Sequence, residues 1–264
     1  MNFADKTIWI TGASSGIGKS LALELSKEDA NLILSSRNEI ELNKVKNACK
    51  NPEKVQILPL DLEDYADFSL KVSHAISFFN TIDILFNNAG ISQRSLAKET
   101  DISVDKRIMD INYLGTIALT KALLPHFIQK NDGHFVVITS IVGKVGTPLR
   151  SSYSASKHAL HGFFDSLRAE VHQNNIKVTL ALPGFVQTNV SLNALTGDGS
   201  AHNKMDKATH NGLTSEVFAK KLLKAVKRQQ QEVYIGGFKE KLAVYTQRFF
   251  PKLLAVMIRK LAVT

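Results

Sequence analysis

Thr7-Ile8-Trp9-Ile10-Thr11-Gly12-Ala13-Ser14-Ser15-Gly16-Ile17-Gly18 decides the fold. Residues 7–11 are a short apolar run bounded by a glycine, which reads as a buried strand. The glycine-rich stretch follows at once, and a helical segment then runs through Leu21, Leu23 and Leu25 to about Glu28. Strand, glycine loop and helix together make a phosphate-binding turn, because the first N–H groups of a helix point outward and its dipole favours an anion there. Gly12 permits the tight turn, Gly16 lets the backbone approach a pyrophosphate, and Gly18 lets the helix start pack closely. The spacing is G-x-x-x-G-x-G, not the commoner G-x-G-x-x-G.

Further strands and helices alternate outward from this turn. Asn31–Ser36 reads as the second strand and Val55–Leu58 as the third, with a polar helix over Glu39–Lys50 between them. Ile82–Phe86, Gly133–Thr139, Ile176–Leu182 and Glu232–Ile235 read as four more. Helices are expected over Tyr65–Phe79, Ser103–Gln129, a segment from before Tyr153 to His172, and Ser215–Arg228. Such alternation implies a parallel, doubly wound sheet with right-handed crossovers and helices on both faces. With 264 residues, 44% of them hydrophobic, one domain spanning 1–264 is the simplest organisation.

Ligands collect at the carboxyl ends of the strands in such a sheet. The second strand ends at Ser36-Arg37, where a fold that binds NAD commonly places a carboxylate on the ribose. A guanidinium there would instead bind a 2′-phosphate with charge-assisted bonds, which favours NADP. Asp61, beside Leu62, ends the third strand and would contact an adenine or cap the Tyr65–Phe79 helix. Asn87-Asn88-Ala89-Gly90 ends the fourth and leaves room for a flat ligand. Pro183-Gly184, Val186 and Thr188 follow the sixth.

The chemistry centres on Ser151-Ser152-Tyr153-Ser154-Ala155-Ser156-Lys157. Positions i and i+4 of a helix share a face, so the Lys157 ammonium can approach the Tyr153 phenol. A nearby cation lowers a phenol's pKa from near 10, which makes the pair a plausible general acid/base. Asn112 sits in a helical segment where its propensity is poor, and a bend, a buried water or catalysis would each account for it. Ser140 stands at the end of the fifth strand.

Taken together, TGASSGIG at 11–18, NNAG at 87–90, Asn112, Ser140, YSASK at 153–157 and PGFVQT at 183–188 resemble the short-chain dehydrogenase/reductase superfamily. They span most of residues 5–190 in the family's order. The resemblance implies a Rossmann-type sheet of about seven parallel strands that binds a nicotinamide cofactor. It implies that Tyr153 is the acid/base and that Lys157 lowers its pKa and bonds the nicotinamide ribose. Ser140 would polarise the substrate oxygen, and Asn112 would hold a proton-relay water. Gly12, Ser14, Ile17, Arg37, Asp61, Asn88 and Thr188 fall at family cofactor positions, with Ser15 small where some NADP-dependent members carry a base. Ser15, Gly16, Gly18, Leu62, Ala89, Gly90, Pro183, Gly184 and Val186 complete the expected NADP(H) set.

SQRSL at 92–96, INYLGT at 111–116, ASKHALHGFF at 155–164 and TNVSLNALTGDGS at 188–200 are similar to the microsomal, retinoid- and steroid-type branch. Eukaryotic members of that branch often carry an N-terminal membrane anchor, which is not expected here because strand one begins at residue 7. Neither a signal peptide nor a spanning helix is expected. By the same resemblance the helices holding Asn112 and Tyr153 form the interface of a homodimer or homotetramer.

Charge is unevenly placed. Residues 1–200 hold 20 basic and 20 acidic residues, and residues 201–264 hold 13 and 4, which is the whole net +9. Polar residues 185–213 read as a substrate loop. The tail, about 239–264, carries Leu253, Leu254, Val256, Met257, Ile258 and Leu261 at helical spacing, flanked by Lys252, Arg259 and Lys260, with Pro251 starting the helix. Such a helix lies on a membrane surface, or it packs on its own subunit or a dimer partner. One cysteine, Cys49, suits a reducing, cytoplasmic location. His158 and His161 lie a turn apart without a third ligand, so no metal site is expected.

The expected function is NADP(H)-dependent interconversion of a carbonyl and an alcohol on a lipophilic small molecule. An acyl chain on an acidic carrier protein is the second reading, and a non-catalytic NADP sensor the third. Nucleic-acid binding lacks a recognisable module.

Overall fold

The computed structural model describes residues 2–259. Seven parallel strands form one sheet in the order β3-β2-β1-β4-β5-β6-β9. They are β1 (Thr7–Thr11), β2 (Asn31–Ser35), β3 (Val55–Ile57), β4 (Ile84–Asn87), β5 (Gly133–Ile138), β6 (Ile176–Pro183) and β9 (Glu232–Ile235). From β1 the chain winds outward to β3, then returns to place β4 on the other side of β1. The order therefore reverses between β1 and β4, and the crevice at their carboxyl ends is where such a sheet binds ligands.

Alternation along the strands builds a core on each face. Ile8 and Ile10 of β1 pack with Leu21 and Leu25 of α1 (Gly16–Lys27), Leu42 of α2 (Glu39–Ala48) and Phe218 of α8 (Ser215–Lys227). Trp9, between them, points to the other face. There it joins Val72 of α3 (Phe68–Phe79), Leu123 and Phe127 of α5 (Thr116–Lys130), and Leu160 and Phe164 of α6 (Ser151–Glu170). The Trp9 indole N–H donates to Ser35 Oγ at 2.8 Å, so its one polar atom is satisfied inside the core.

Local structure departs from the sequence reading in four places. The helix expected from Tyr65 begins at Phe68, and Asp61 instead accepts from Glu63 N at 3.1 Å, so Asp61 does not cap it. The long helix expected over Ser103–Gln129 is α4 (Ile102–Met109) and α5 joined by a π-helical turn, Asp110–Gly115. Asn112 lies in that turn, so its poor helical propensity falls where the helix is already irregular. The segment 185–213 is not wholly irregular: β7 (Val186–Gln187) pairs with β8 (Leu213–Thr214), which ties its two ends together, and α7 (Lys207–His210) lies within it. The tail forms two helices, α9 (Phe238–Phe249) and α10 (Pro251–Ile258), with Pro251 at the start of the second as expected. Lys260 and Leu261 lie outside the described residues.

Two buried histidines set a pH dependence. Burial holds His134 and His161 down at about 4. Between pH 6.5 and 4 the unfolded chain binds protons that the folded chain refuses, so stability is lost as pH falls through that window. Among the described residues neither ring nitrogen of His161 has a hydrogen-bond partner, although Nδ1 stands 3.6 Å from Glu232 Oε2. His161→Leu removes the orphaned polar atoms and is expected to stabilise the fold by about 1 kcal/mol at neutral pH. It should also flatten the fall in melting temperature between pH 6.5 and 4. Thermal melts across that range check both effects, and an unchanged acid slope would refute the assignment.

Candidate active site

A cleft of about 1060 Å³ opens along the carboxyl ends of the strands. At one end Gly12, Ser14, Ser15, Gly16 and Ile17 line it, between β1 and α1. Gly12 (φ +64°) and Gly16 (φ +52°) take left-handed conformations that other residues adopt at a cost. Ser15 places no side-chain cap on α1, so the first N–H groups of the helix remain available to an anion. A Cβ at Gly16 would stand 3.0 Å from Thr188 Cγ2, so only glycine lets the turn pass this close to the opposite side of the cleft. Gly18 does not line the cleft. It packs the start of α1 against the turn, where a Cβ would meet the Gly12 carbonyl oxygen at 2.2 Å.

Arg37 lines the same end, exposed, beyond Ser35 and Ser36 of β2. No carboxylate among the described residues stands within ion-pair distance of it. Asp61 and Leu62 form the neighbouring wall, Asn88, Ala89 and Gly90 the floor, and Pro183, Gly184, Val186 and Thr188 the opposite side. Asn88 Nδ2 donates to the carbonyls of Thr11 and Gly12 at 2.9 and 3.2 Å, which fixes the glycine turn to β4.

Ser140, Tyr153 and Lys157 meet in the middle of the cleft. Burial pushes the Tyr153 phenol up, opposed by a hydrogen bond with the Ser140 hydroxyl and by the charges of Arg150 and Arg94. Lys157 stands with Nζ 5.8 Å from the centre of the Tyr153 ring and donates to Ile138 O at 2.9 Å. Burial lowers its pKa to about 8. The expected lowering of the phenol by Lys157 therefore gives way to a different set of neighbours, because the ammonium is aimed at the end of β5. Asn112 does not line the cleft. It is fully buried behind Gly90, with Oδ1 accepting from Ile91 N at 2.8 Å and Nδ2 donating to Ile91 O at 2.9 Å and Ser156 Oγ at 3.0 Å. It thus joins the loop after β4 to the helix of Tyr153.

A family profile of short chain dehydrogenases matches residues 6–197. The chain is 43% identical over 251 residues to dehydrogenase/reductase SDR family member 7B of Xenopus laevis, covering 92% of this chain and 78% of that protein. It is 39% identical over 263 residues to dehydrogenase/reductase SDR family protein 7-like of Drosophila melanogaster, covering 98% and 81%. The chain belongs to the short-chain dehydrogenase family. A short-chain dehydrogenase/reductase from Burkholderia phymatum, solved in complex with NAD, superposes with a TM-score of 0.85 over 96% of each chain at 20% identity. A short-chain dehydrogenase from Streptomyces avermitilis gives 0.81 over 97% of this chain and 96% of that one, at 24% identity. These two likenesses show the fold.

Membership in the short-chain dehydrogenase family makes this an oxidoreductase that uses a nicotinamide cofactor and a small-molecule substrate. The open helix start and the glycine cradle fit the diphosphate of such a cofactor. Among the described residues no group of His, Cys, Asp or Glu is arranged to hold a metal ion, and no helix is long and apolar enough to cross a membrane.

The sequence reading missed a polar cluster beside Tyr153. Arg94 and Arg150 line the cleft, and both bond to the carboxylate of Asp206, with all three side chains at most 6% exposed. The signal was the SQRSL stretch, which resembled a branch of the family but carried no assigned chemistry. Also missed was the contribution of the last helices: Lys239, Glu240, Ala243, Leu254 and Ile258 line the mouth. Leu254 is only 2% exposed, so this part of the tail packs on its own subunit.

Proposed function

We propose that this chain is an NADP(H)-dependent oxidoreductase that interconverts a carbonyl and a secondary alcohol on a lipophilic substrate, with Tyr153 as the general acid/base. The observation that carries the reading is the buried Tyr153 phenol, with the Ser140 hydroxyl opposing the upward push of burial, in one cleft with the glycine turn and a mouth lined by Val145, Leu195, Ala243, Leu254 and Ile258. The cofactor, when bound, supplies or accepts the hydride. As a carbonyl is reduced, charge develops on its oxygen; Ser140 and Tyr153 direct hydroxyls at it, and Tyr153 gives up its proton. A phenol pushed up by burial stays protonated at neutral pH, which suits the reductive direction. Lys157 holds the cofactor ribose and takes the proton-relay place, with Asn112 bracing the loop after β4 against α6 behind it. Arg37, with no carboxylate partner among the described residues, receives the 2′-phosphate. The single buried thiol, Cys49, fits a reducing, cytoplasmic setting.

Substrate reaches the mouth from a membrane surface. Phe238, Leu242, Tyr245 and Phe249 are exposed along α9, and Leu253, Val256 and Met257 along α10, interspersed with Lys241, Arg248 and Lys252. Exposed apolar side chains beside bases favour anionic bilayers. A second reading, an acyl chain on an acidic carrier, is favoured by a crevice of about 280 Å³ between α8 and α9, lined by Lys221, Lys224, Arg228 and Lys241. As elsewhere in the family, the subunits associate, here as a homodimer or homotetramer through the helices of Asn112 and Tyr153.

The test is an NADPH-oxidation screen over steroids, retinals, aldehydes, diketones and acetoacetyl carriers, with Tyr153→Phe as the blank, beside pelleting with anionic liposomes. Turnover of free lipophilic carbonyls together with pelleting is expected. Turnover confined to carrier-bound substrates would replace the first reading with the second, and turnover by the blank would remove Tyr153 from the mechanism.

A further inference from the structure

Helix α6 opens without a side-chain cap of its own: Arg150, which carries only donors, stands at the N-cap position. The first N–H groups of the helix therefore need acceptors from elsewhere. Gln93, fully buried, provides one. Its Oε1 accepts from Ser152 N at 2.9 Å and from Tyr153 N at 3.4 Å. Its Nε2 donates to Thr100 Oγ1 at 3.0 Å and to Ser151 Oγ at 3.3 Å, which fixes the amide's orientation.

Arg94, the next residue, faces the other way. Its Nε donates to the two oxygens of Asp206 at 3.0 and 3.3 Å, and its Nη2 bonds the same carboxylate. Nη1 donates to Ser92 Oγ at 2.9 Å and Gln93 O at 2.6 Å. Asp206 also accepts from Ser191 Oγ at 2.9 Å and from Arg150 Nη2 at 3.2 Å. The backbone adds a second tie, with Arg94 N donating to Leu195 O and Leu195 N to Ser92 O, each at 2.8 Å. One short turn thus grips the helix of Tyr153 with one side chain and the segment 191–206 with the next.

We propose that Gln93 and Arg94 are positioning residues for the reaction: Gln93 holds the first turn of α6, on which Tyr153 sits, and Arg94, through Asp206, holds the segment 191–206 against it as the substrate-side wall. This rests on the reading of Tyr153 as the acid/base. A buried charge left without its partner is strongly unfavourable, so the clamp between Arg94 and Asp206 resists partial opening. The charged and titratable groups around the Tyr153 phenol are Arg94 from the turn, Arg150 ahead of α6, Asp206 from the facing segment and Lys157 from α6 itself. The two arginines favour the phenolate against burial. Removing the Arg94 charge therefore moves the phenol's titration to higher pH.

The test uses the full chain with NADPH bound and combines amide hydrogen exchange with steady-state kinetics. Gln93→Ala should speed exchange at Ser152 and Tyr153 about fivefold, the loss of one buried hydrogen bond, while the amides of the glycine turn keep their wild-type rates. Arg94→Met should speed exchange across 191–206 and raise the substrate KM about tenfold, more than kcat falls, with the alkaline limb of the pH profile shifted upward. Arg94→Lys keeps the charge and loses the fork, so it should restore the pH limb and leave KM raised. Unchanged exchange across 191–206 in Arg94→Met would overturn the proposal. So would exchange faster throughout the chain, with cofactor affinity lost in step with melting temperature, since that marks a role in the fold alone. The exchange measurements need no turnover. Failure of the functional reading would show separately, as wild-type protein that turns over no substrate or a Tyr153→Phe variant that turns it over normally.

Discussion

Tyr153→Phe is expected to slow carbonyl reduction by at least about a thousandfold while NADPH binds as it does to the wild type. The substitution removes one hydroxyl and keeps the ring, so α6 retains its packing and Lys157 its bond to Ile138 O at 2.9 Å. What goes is the proton donor and one of two hydroxyls aimed at the developing oxyanion, terms each large enough to account for much of that loss. The glycine turn and Arg37 are untouched, so cofactor affinity should change by no more than about twofold. Single-turnover rates and a fluorescence titration with NADPH separate the two quantities. A residual rate within about tenfold of wild type would mean that Ser140 or solvent delivers the proton. In the wild type NADPH affinity, rather than the rate at saturating cofactor, should fall as pH rises through about 8, where Lys157 gives up its proton. Below that value the ammonium is charged and its contribution complete.

Most of the fold was legible because its signals are local. β1 and its glycine turn are adjacent in sequence, and each buried strand is a short apolar run between turn residues. β3 shrank to Val55–Ile57, and α3 lost its first residues, because ends depend on caps and pairing more than on pattern. The π-helical turn at Asp110–Gly115 was invisible to a 3.6-residue period, although the misplaced Asn112 marked it. In the site, positions tied to the backbone of a strand end were legible: Ser140, Asn88 and the glycines sit where the sheet puts its carboxyl ends. The cluster of Arg94, Arg150 and Asp206 was not, since Arg94 and Asp206 are 112 residues apart in sequence and meet only after the segment 185–213 folds back over the cleft. The tail was half legible. Its amphipathic spacing gave the helices, but the burial of Leu254 comes from the groove it covers, which no local pattern encodes.

Arg37→Asp should weaken NADPH binding by about a hundredfold and leave NADH within about threefold of its wild-type affinity. The argument is one of charge at a fixed place. β2 delivers Ser35, Ser36 and Arg37 to the end of the cleft beside the glycine turn, and the guanidinium is exposed with no carboxylate among the described residues to neutralise it. A 2′-phosphate arriving there gains charge-assisted, bidentate bonds, whereas a ribose 2′-hydroxyl gains little from a cation. Aspartate reverses the sign: it repels the phosphate and can accept a hydrogen bond from the hydroxyl. Ser15 and Ser36, beside it, are small and neutral and add no charge for the phosphate. Competition titrations with both cofactors, at two salt concentrations, decide the matter. The NADPH preference should shrink in the wild type as salt rises, because the guanidinium is exposed, and vanish in the variant. A preference that survives Arg37→Asp would move recognition of the 2′-phosphate away from the end of β2.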